Sequence, residues 1–210
     1  MDRATPRPRN VSSRDPRVRQ TEEAVFAATI ELIHELGPSG STIERVAERS
    51  GVARSTIYRR WGDVDRLFLD AFDEITRPTP LPLTGDLASD LRTFARGYVR
   101  ELNDQAFHDV VMFLMDMALR SRVYRTSYRA MHRTRQRTAS AIVRAAVGRG
   151  DLPPDTDPKA TADAVMAPLF YQRVARHMLP SSADADEAVA RALVWLDPPL
   201  RRRATSPRSA

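Results

Sequence analysis

Cysteine is absent from the 210 residues, which excludes disulfides, a thiol nucleophile and cysteine-ligated zinc. Lysine is nearly absent as well, with Lys159 alone among 33 basic residues. Aromatics make up 7% and glycines number eight. No apolar run approaches the roughly 20 residues that span a bilayer, so no membrane association is expected. The four histidines, His34, His108, His132 and His177, are scattered without metal-ligand spacing, and neither a metal nor a cofactor is expected. No phosphate-binding glycine loop, nucleophile elbow or catalytically spaced carboxylate or histidine pair is present, which argues against an enzyme. The basic N-terminal stretch lacks the apolar core and cleavage site of a signal peptide. With 42% apolar residues the chain can bury a core, and a soluble cytoplasmic protein is expected.

Charge is unevenly placed. The net charge is +6, yet residues 1–20 and residues 198–210 carry +4 each, leaving −2 for everything between. Both ends are rich in proline and poor in large apolar residues, which reads as a flexible basic arm over 1–19 and a flexible basic tail over 198–210. Two readings of these ends stand side by side. Cationic arms suit contact with phosphate backbones, and an arginine-biased composition produces the same sequence.

What is present between the ends is helical periodicity. Fourteen of the fifteen prolines fall in the arms or at helix boundaries, and apolar residues recur at spacings of three and four with no alternating β-type run. The fold class is therefore all-α. Helices are predicted over 20–36, 41–50, 54–61, 63–75, 86–104, 106–119, 121–149, 157–178 and 184–196, about nine in all. A domain over 20–75 is followed by a proline-rich linker at 76–85 and a larger domain at 86–197. Asp157 is the expected N-cap of its helix, with Pro158 at the first position. Pro168, the one proline inside a predicted helix, should kink it.

Residues 41–61 carry the sharpest signal. Ser41-Thr42-Ile43-Glu44 reads as a capping box, with Ser41 as N-cap and Glu44 reaching back. Ala47 is small enough for a steep helix crossing, and Gly51 supplies the positive φ of a tight turn. Val52 and Ile57 then fix the second helix on the first. That leaves Arg54, Ser55, Thr56, Tyr58, Arg59 and Arg60 on its outer surface, donors suited to phosphates and major-groove base edges. The pattern is a helix-turn-helix.

Residues 21–72 resemble the N-terminal domain of the tetracycline-repressor (TetR) family of transcriptional regulators. The similarity runs through Glu35-Leu36-Gly37, then Ser41 to Ala47, then Gly51 to Trp61, and on to Asp65-Arg66-Leu67. The resemblance implies a homodimer that reads a double-stranded, pseudo-palindromic DNA operator with one recognition helix per half-site. It implies phosphate contact by Thr42, base or backbone contact by Arg45, and major-groove contact by Arg54, Ser55, Thr56 and Arg59. Tyr58 and Arg60 occupy phosphate-contact positions. Val64 stands where the family commonly has a phosphate-binding lysine, and Asp63 is the expected N-cap there. Repression relieved by a small-molecule effector is the implied mode. A regulator of the same fold governed by a protein partner, or constitutive, is the alternative.

The larger domain resembles C-terminal ligand-binding and dimerisation domains of one TetR subgroup, with Pro168-Leu169-Phe170-Tyr171 in common. The family builds its dimer from the last two long helices, which assigns Val165, Leu169, Val174 and Met178 with Val189, Ala192, Leu193 and Leu196 either to that interface or to the core. Met112, Phe113, Met115, Tyr124, Tyr128 and Met131 suit the lining of an irregular apolar pocket, and serve equally as core. Asp116 is a candidate for recognising a cation. Between Arg120 and Arg149 lie nine arginines and no acid, a block read mainly as a solvated face.

Overall fold

The computed structural model describes residues 15–37, 40–77 and 81–196. The N-terminal arm up to residue 14, the tail from 197, and residues 38–39 and 78–80 lie outside the described residues. So do the two readings of the basic ends, as phosphate-contacting arms or as arginine-biased composition. The described residues form nine α-helices and no strand, in two compact units that divide after Glu74.

The first unit, the head, begins earlier than its periodicity predicts. Helix α1 spans Pro16–Leu36, so residues 16–19 belong to a helix and not to the arm. The reason is local: the Asp15 carboxylate accepts from the Arg17 N–H at 2.9 Å, and Pro16 occupies the first turn, where its missing N–H costs nothing. Helices α2 (Ile43–Ser50), α3 (Arg54–Trp61) and α4 (Val64–Ile75) follow. Val25, Ala28 and Leu32 of α1 meet Ile43, Val46, Ile57, Trp61 and Leu67 in a shared core, with Ala47 and Val52 packed at its edge.

The cap of α2 differs from the expected box. Thr42, not Ser41, is the N-cap, its hydroxyl accepting from the Arg45 N–H at 3.4 Å. Ser41 is buried and donates to the Gly37 carbonyl at 2.8 Å. Burying Ser41 closes the end of α1 onto the start of α2, and the exposed Thr42 takes over the cap. Gly51 adopts φ 70°, ψ 8°, the left-handed conformation the turn requires. The Asp63 carboxylate accepts from the Arg66 N–H at 2.8 Å at the start of α4.

The second unit, the body, holds α5 (Leu87–Asn103), α6 (Gln105–Arg120), α7 (Arg122–Arg149), α8 (Pro158–Val174) and α9 (Ser182–Trp195). Its core joins Leu91, Phe94, Tyr98 and Leu102 of α5 to Phe107 and Val111 of α6, Ala139, Ile142 and Val143 of α7, and residues of α8 and α9. Asp157 caps α8 with Pro158 in the first turn, and the helix continues through the exposed Pro168. It stops at Val174, not at 178. The Ala175 and Arg176 N–H groups both turn back to the Tyr171 carbonyl, and His177 takes φ 53° on the approach to Pro180.

This packing corrects the interface assignment. Val165, Leu169, Val189 and Ala192 are at most 3% exposed, and Leu196 is 7% exposed. Side chains filling their own protomer's core offer no surface to a partner. Val174 and Leu193 are half-buried, and Met178 is exposed beyond the end of α8.

Entry to α5 depends on one carboxylate. Asp90, 4% exposed, accepts from the Thr84 N–H and hydroxyl at 2.8 and 2.7 Å and from the Gly85 N–H at 3.1 Å. Burial alone would raise its pKa, but those donors and the charge of Arg149 hold it below the usual range. A depressed folded-state pKa stabilises the fold above the unfolded value, about 3.9, and that contribution is lost as pH falls through the folded value. Asp90→Asn is therefore expected to cost about 1.5–3 kcal/mol at pH 7, the range for hydrogen bonds to a charged group. Urea midpoints of the two proteins should converge on acidification below pH ~4. A gap that stays constant with pH would contradict this role.

Candidate nucleic-acid interface

The head presents α3 with two faces. Ile57 is fully buried and Trp61 is 5% exposed, its ring edge-on to Phe26 at 5.7 Å between centroids. Arg54, Ser55, Tyr58 and Arg59 are exposed on the opposite side, and Thr56 lies between, half-buried. The Gly51 turn and the Ile57 and Trp61 anchors thus hold an eight-residue helix with its donors outward. Such a helix is too short to persist without that packing.

Thr42 and Arg45 are exposed beside this surface. Arg45 donates from Nη1 to the Gly40 carbonyl at 2.8 Å, which orients its guanidinium toward the α1–α2 turn. The Tyr58 hydroxyl donates to Glu44 Oε1 at 3.1 Å. The Glu44 carboxyl is held below its ordinary range by its own backbone N–H, by the Thr42 and Tyr58 hydroxyls and by nearby Arg54. The same bond pushes the Tyr58 phenol up. This pair links the start of α2 to the middle of α3.

Arg60 departs from the expected surface. Its guanidinium pairs with Glu22 of α1 and lies over the Trp61 ring, 5.5 Å from the centroid. Burial lowers its pKa. The helical period accounts for this: Ile57, Arg60 and Trp61 stand at i, i+3 and i+4, one face of α3. Arg60 is thus committed to the seam between α1 and α3, not to the outer surface. Two structural partners escaped the sequence reading. Glu22 is one, and Arg49 is the other, which joins α2 to Glu35 and Glu31 of α1 at 2.7 and 3.3 Å.

In the body, the structure divides the pocket candidates. Met112, Met115, Tyr128 and Met131 are partly buried against the main core. Phe113 and Tyr124 are deeply buried and pack edge-on at 5.6 Å. Asp116 is exposed and pairs with Arg120 at 3.3 Å. An open depression of about 380 Å³ is lined by Tyr128, Arg129, His132 and Arg133. Among the described residues no cluster of histidine and carboxylate could hold a metal, and no helix is long and apolar enough to cross a membrane.

Two family models match the chain: residues 25–71 match "Bacterial regulatory proteins, tetR family", and residues 81–192 match "Tetracyclin repressor-like, C-terminal domain". The HTH-type transcriptional regulator YdeS of Bacillus subtilis (strain 168) is 26% identical over 159 residues, 75% of this chain and 80% of that protein. The HTH-type transcriptional regulator AqdR of Rhodococcus erythropolis is 31% identical over 136 residues, 64% of this chain and 65% of that one. A TetR transcriptional regulator from Agrobacterium tumefaciens superposes with a TM-score of 0.70 at 18% identity, covering 89% of this chain and 99% of its own. With both of its units matched, and with a helix-turn-helix whose donors face outward, the chain belongs to the TetR family of transcriptional regulators.

Proposed function

We propose that this regulator is a repressor that binds a pseudo-palindromic operator as a homodimer and leaves it when a small molecule enters the body. One observation carries the DNA-binding half of the reading. The α3 helix is anchored by Ile57 and Trp61 while Arg54, Ser55, Tyr58 and Arg59 are exposed on its far side. Arginine in a major groove reads guanine through two parallel hydrogen bonds, and hydroxyls fix the register on phosphates.

For the dimer, the exposed sides of α8 and α9 replace the buried residues first assigned. Ala164, Ala167, Pro168 and Tyr171 of α8 and Ala190 and Val194 of α9 are exposed, with Tyr171 at 61% and Val194 at 56%. Small side chains with a few large apolar ones suit close helix–helix docking. A symmetric pair of heads then meets two half-sites about 34–36 Å apart. The half-buried methionines and Tyr128 support an effector site at the edge of the body's core.

The test is binding of the purified protein to duplexes from its own upstream region over a salt series. Specific binding requires that these duplexes outcompete scrambled ones, with log affinity falling linearly in log salt at a slope that counts phosphate contacts. A reporter placed behind the bound duplex should be silenced. Equal affinity for scrambled DNA at every salt concentration would refute the reading.

A further inference from the structure

Arg135 of α7 is an unusual core residue. Its side chain is 4% exposed. Nε donates to Glu101 Oε2 at 2.8 Å, and the guanidinium carbon lies 4.7 Å from the Phe107 ring centroid. Nη1 and Nη2 are both buried and have no hydrogen-bond partner. A guanidinium cannot shed its charge to relieve burial, and unpaired buried donors are costly to keep. Two adjacent terminal nitrogens, each with free N–H groups, match the two oxygens of a carboxylate.

The surroundings point the same way. Tyr98 is 6% exposed, and its phenol interacts electrostatically with Arg135, Tyr128 and Glu101. Burial raises the pKa of Tyr98, outweighing the opposing pull of Arg135, and it raises that of Tyr128 as well, so both phenols stay neutral and able to donate. Tyr128 also borders the open depression, whose other lining residues are Arg129, His132 and Arg133. Tyr128, His132 and Arg135 stand at i, i+4 and i+7 on α7, one face of the helix. A cationic rim, a phenol and a buried guanidinium with unused donors thus lie within about two turns of one another on α7. Met112, Met115 and Met131 pack on the same core and offer deformable apolar contact.

Resting on the effector reading above, we propose that the body binds a small molecule with one carboxylate on an apolar tail, its carboxylate held by Nη1 and Nη2 of Arg135. Nε remains with Glu101, so one guanidinium bridges an internal and an external carboxylate. Arg129 and Arg133 at the rim attract the anion, and the tail lies along the methionines.

The full-length protein is titrated calorimetrically at pH 7 with octanoate and 4-phenylbutanoate, and with octanamide and 4-phenylbutanamide as uncharged counterparts. At least one acid should bind about tenfold or more tightly than its amide, the difference expected of a lost charge-assisted bidentate contact. Arg135→Met should erase that preference. Glu101→Gln should tighten acid binding, because the guanidinium loses its internal counter-ion. This variant keeps the test decisive should Arg135→Met fail to fold. Acids and amides binding alike, neither binding, inorganic phosphate binding as well as the acids, preference surviving in Arg135→Met, or no tightening in Glu101→Gln would each overturn the proposal. Acid binding that leaves the operator complex intact would uphold the carboxylate site and remove the effector reading. Operator release by neutral molecules alone would do the reverse.

Discussion

Arg59→Ala is expected to weaken binding to the cognate duplex by ~1–3 kcal/mol, a 5- to 150-fold loss, and to leave binding to unrelated DNA almost unchanged. Arg59 is exposed on the outer face of α3, where an arginine that reads a base pair contributes to discrimination more than to bulk attraction. Arg54→Ala should behave alike, and the double variant should reduce the protein to salt-dependent, sequence-indifferent binding. Arg60 supplies the internal control. Because its guanidinium is taken up by Glu22 and the Trp61 ring, Arg60→Ala should lower the stability of the head while the folded fraction still recognises the operator. Fluorescence anisotropy with cognate and scrambled duplexes, alongside thermal melts, separates the two effects. If Arg60→Ala abolished recognition in a fully folded protein while Arg59→Ala did nothing, the assignment of the outer face would be wrong.

Trp61→Ala should be the most damaging single change to the head, at about 3–5 kcal/mol for truncating a buried indole. Trp61 is 5% exposed, packs edge-on against Phe26 and underlies the Arg60 guanidinium, so both contacts fail along with its burial. The helices it braces, α2 and α3, have eight residues each and cannot hold their shape in isolation. The expected outcome is loss of operator binding with part of the helicity retained, since the body keeps its own core of α5 to α9. Circular dichroism melts and limited proteolysis should show the head digested and a body-sized fragment surviving. A loss of under ~1 kcal/mol in unfolding free energy would mean the indole is dispensable.

The fold was legible because its signals are local. Proline placement and periods of three and four located the helices, and the Ala47–Gly51–Ile57 spacing exposed the turn. The errors arose where tertiary packing outranks local pattern. Asp15-Pro16 starts a helix inside a basic stretch that reads as an arm, because a two-residue cap signal is outweighed there by proline and arginine. Ser41 has the chemistry of a cap, but burial diverts its hydroxyl to Gly37 and hands the cap to Thr42. On α8 and α9 the apolar stripe was visible, yet a stripe does not say whether its covering comes from the same chain or another. Burial settles that for Val165, Leu169, Val189 and Ala192. Two arginines turn inward, against their residue type, for one reason. Arg60 shares a face with Ile57 and Trp61, and Arg135 stands four residues before Ala139 and seven before Ile142, both buried. The helical period alone would have turned both inward, but a charged residue type invites an outward assignment.

Glu44 bears on how tightly the head can hold any duplex. It is an exposed carboxylate at the start of α2, bonded to Tyr58 and drawn toward Arg54, and its lowered pKa keeps it ionised throughout the neutral range. Thr42 and Tyr58, the expected phosphate contacts, both bond to it, so a pose that seats them on a phosphate sets two anions close together in every register, the cognate one included. The carboxylate is thus expected to hold down affinity for DNA in general, so that even the cognate complex stays loose enough to come apart.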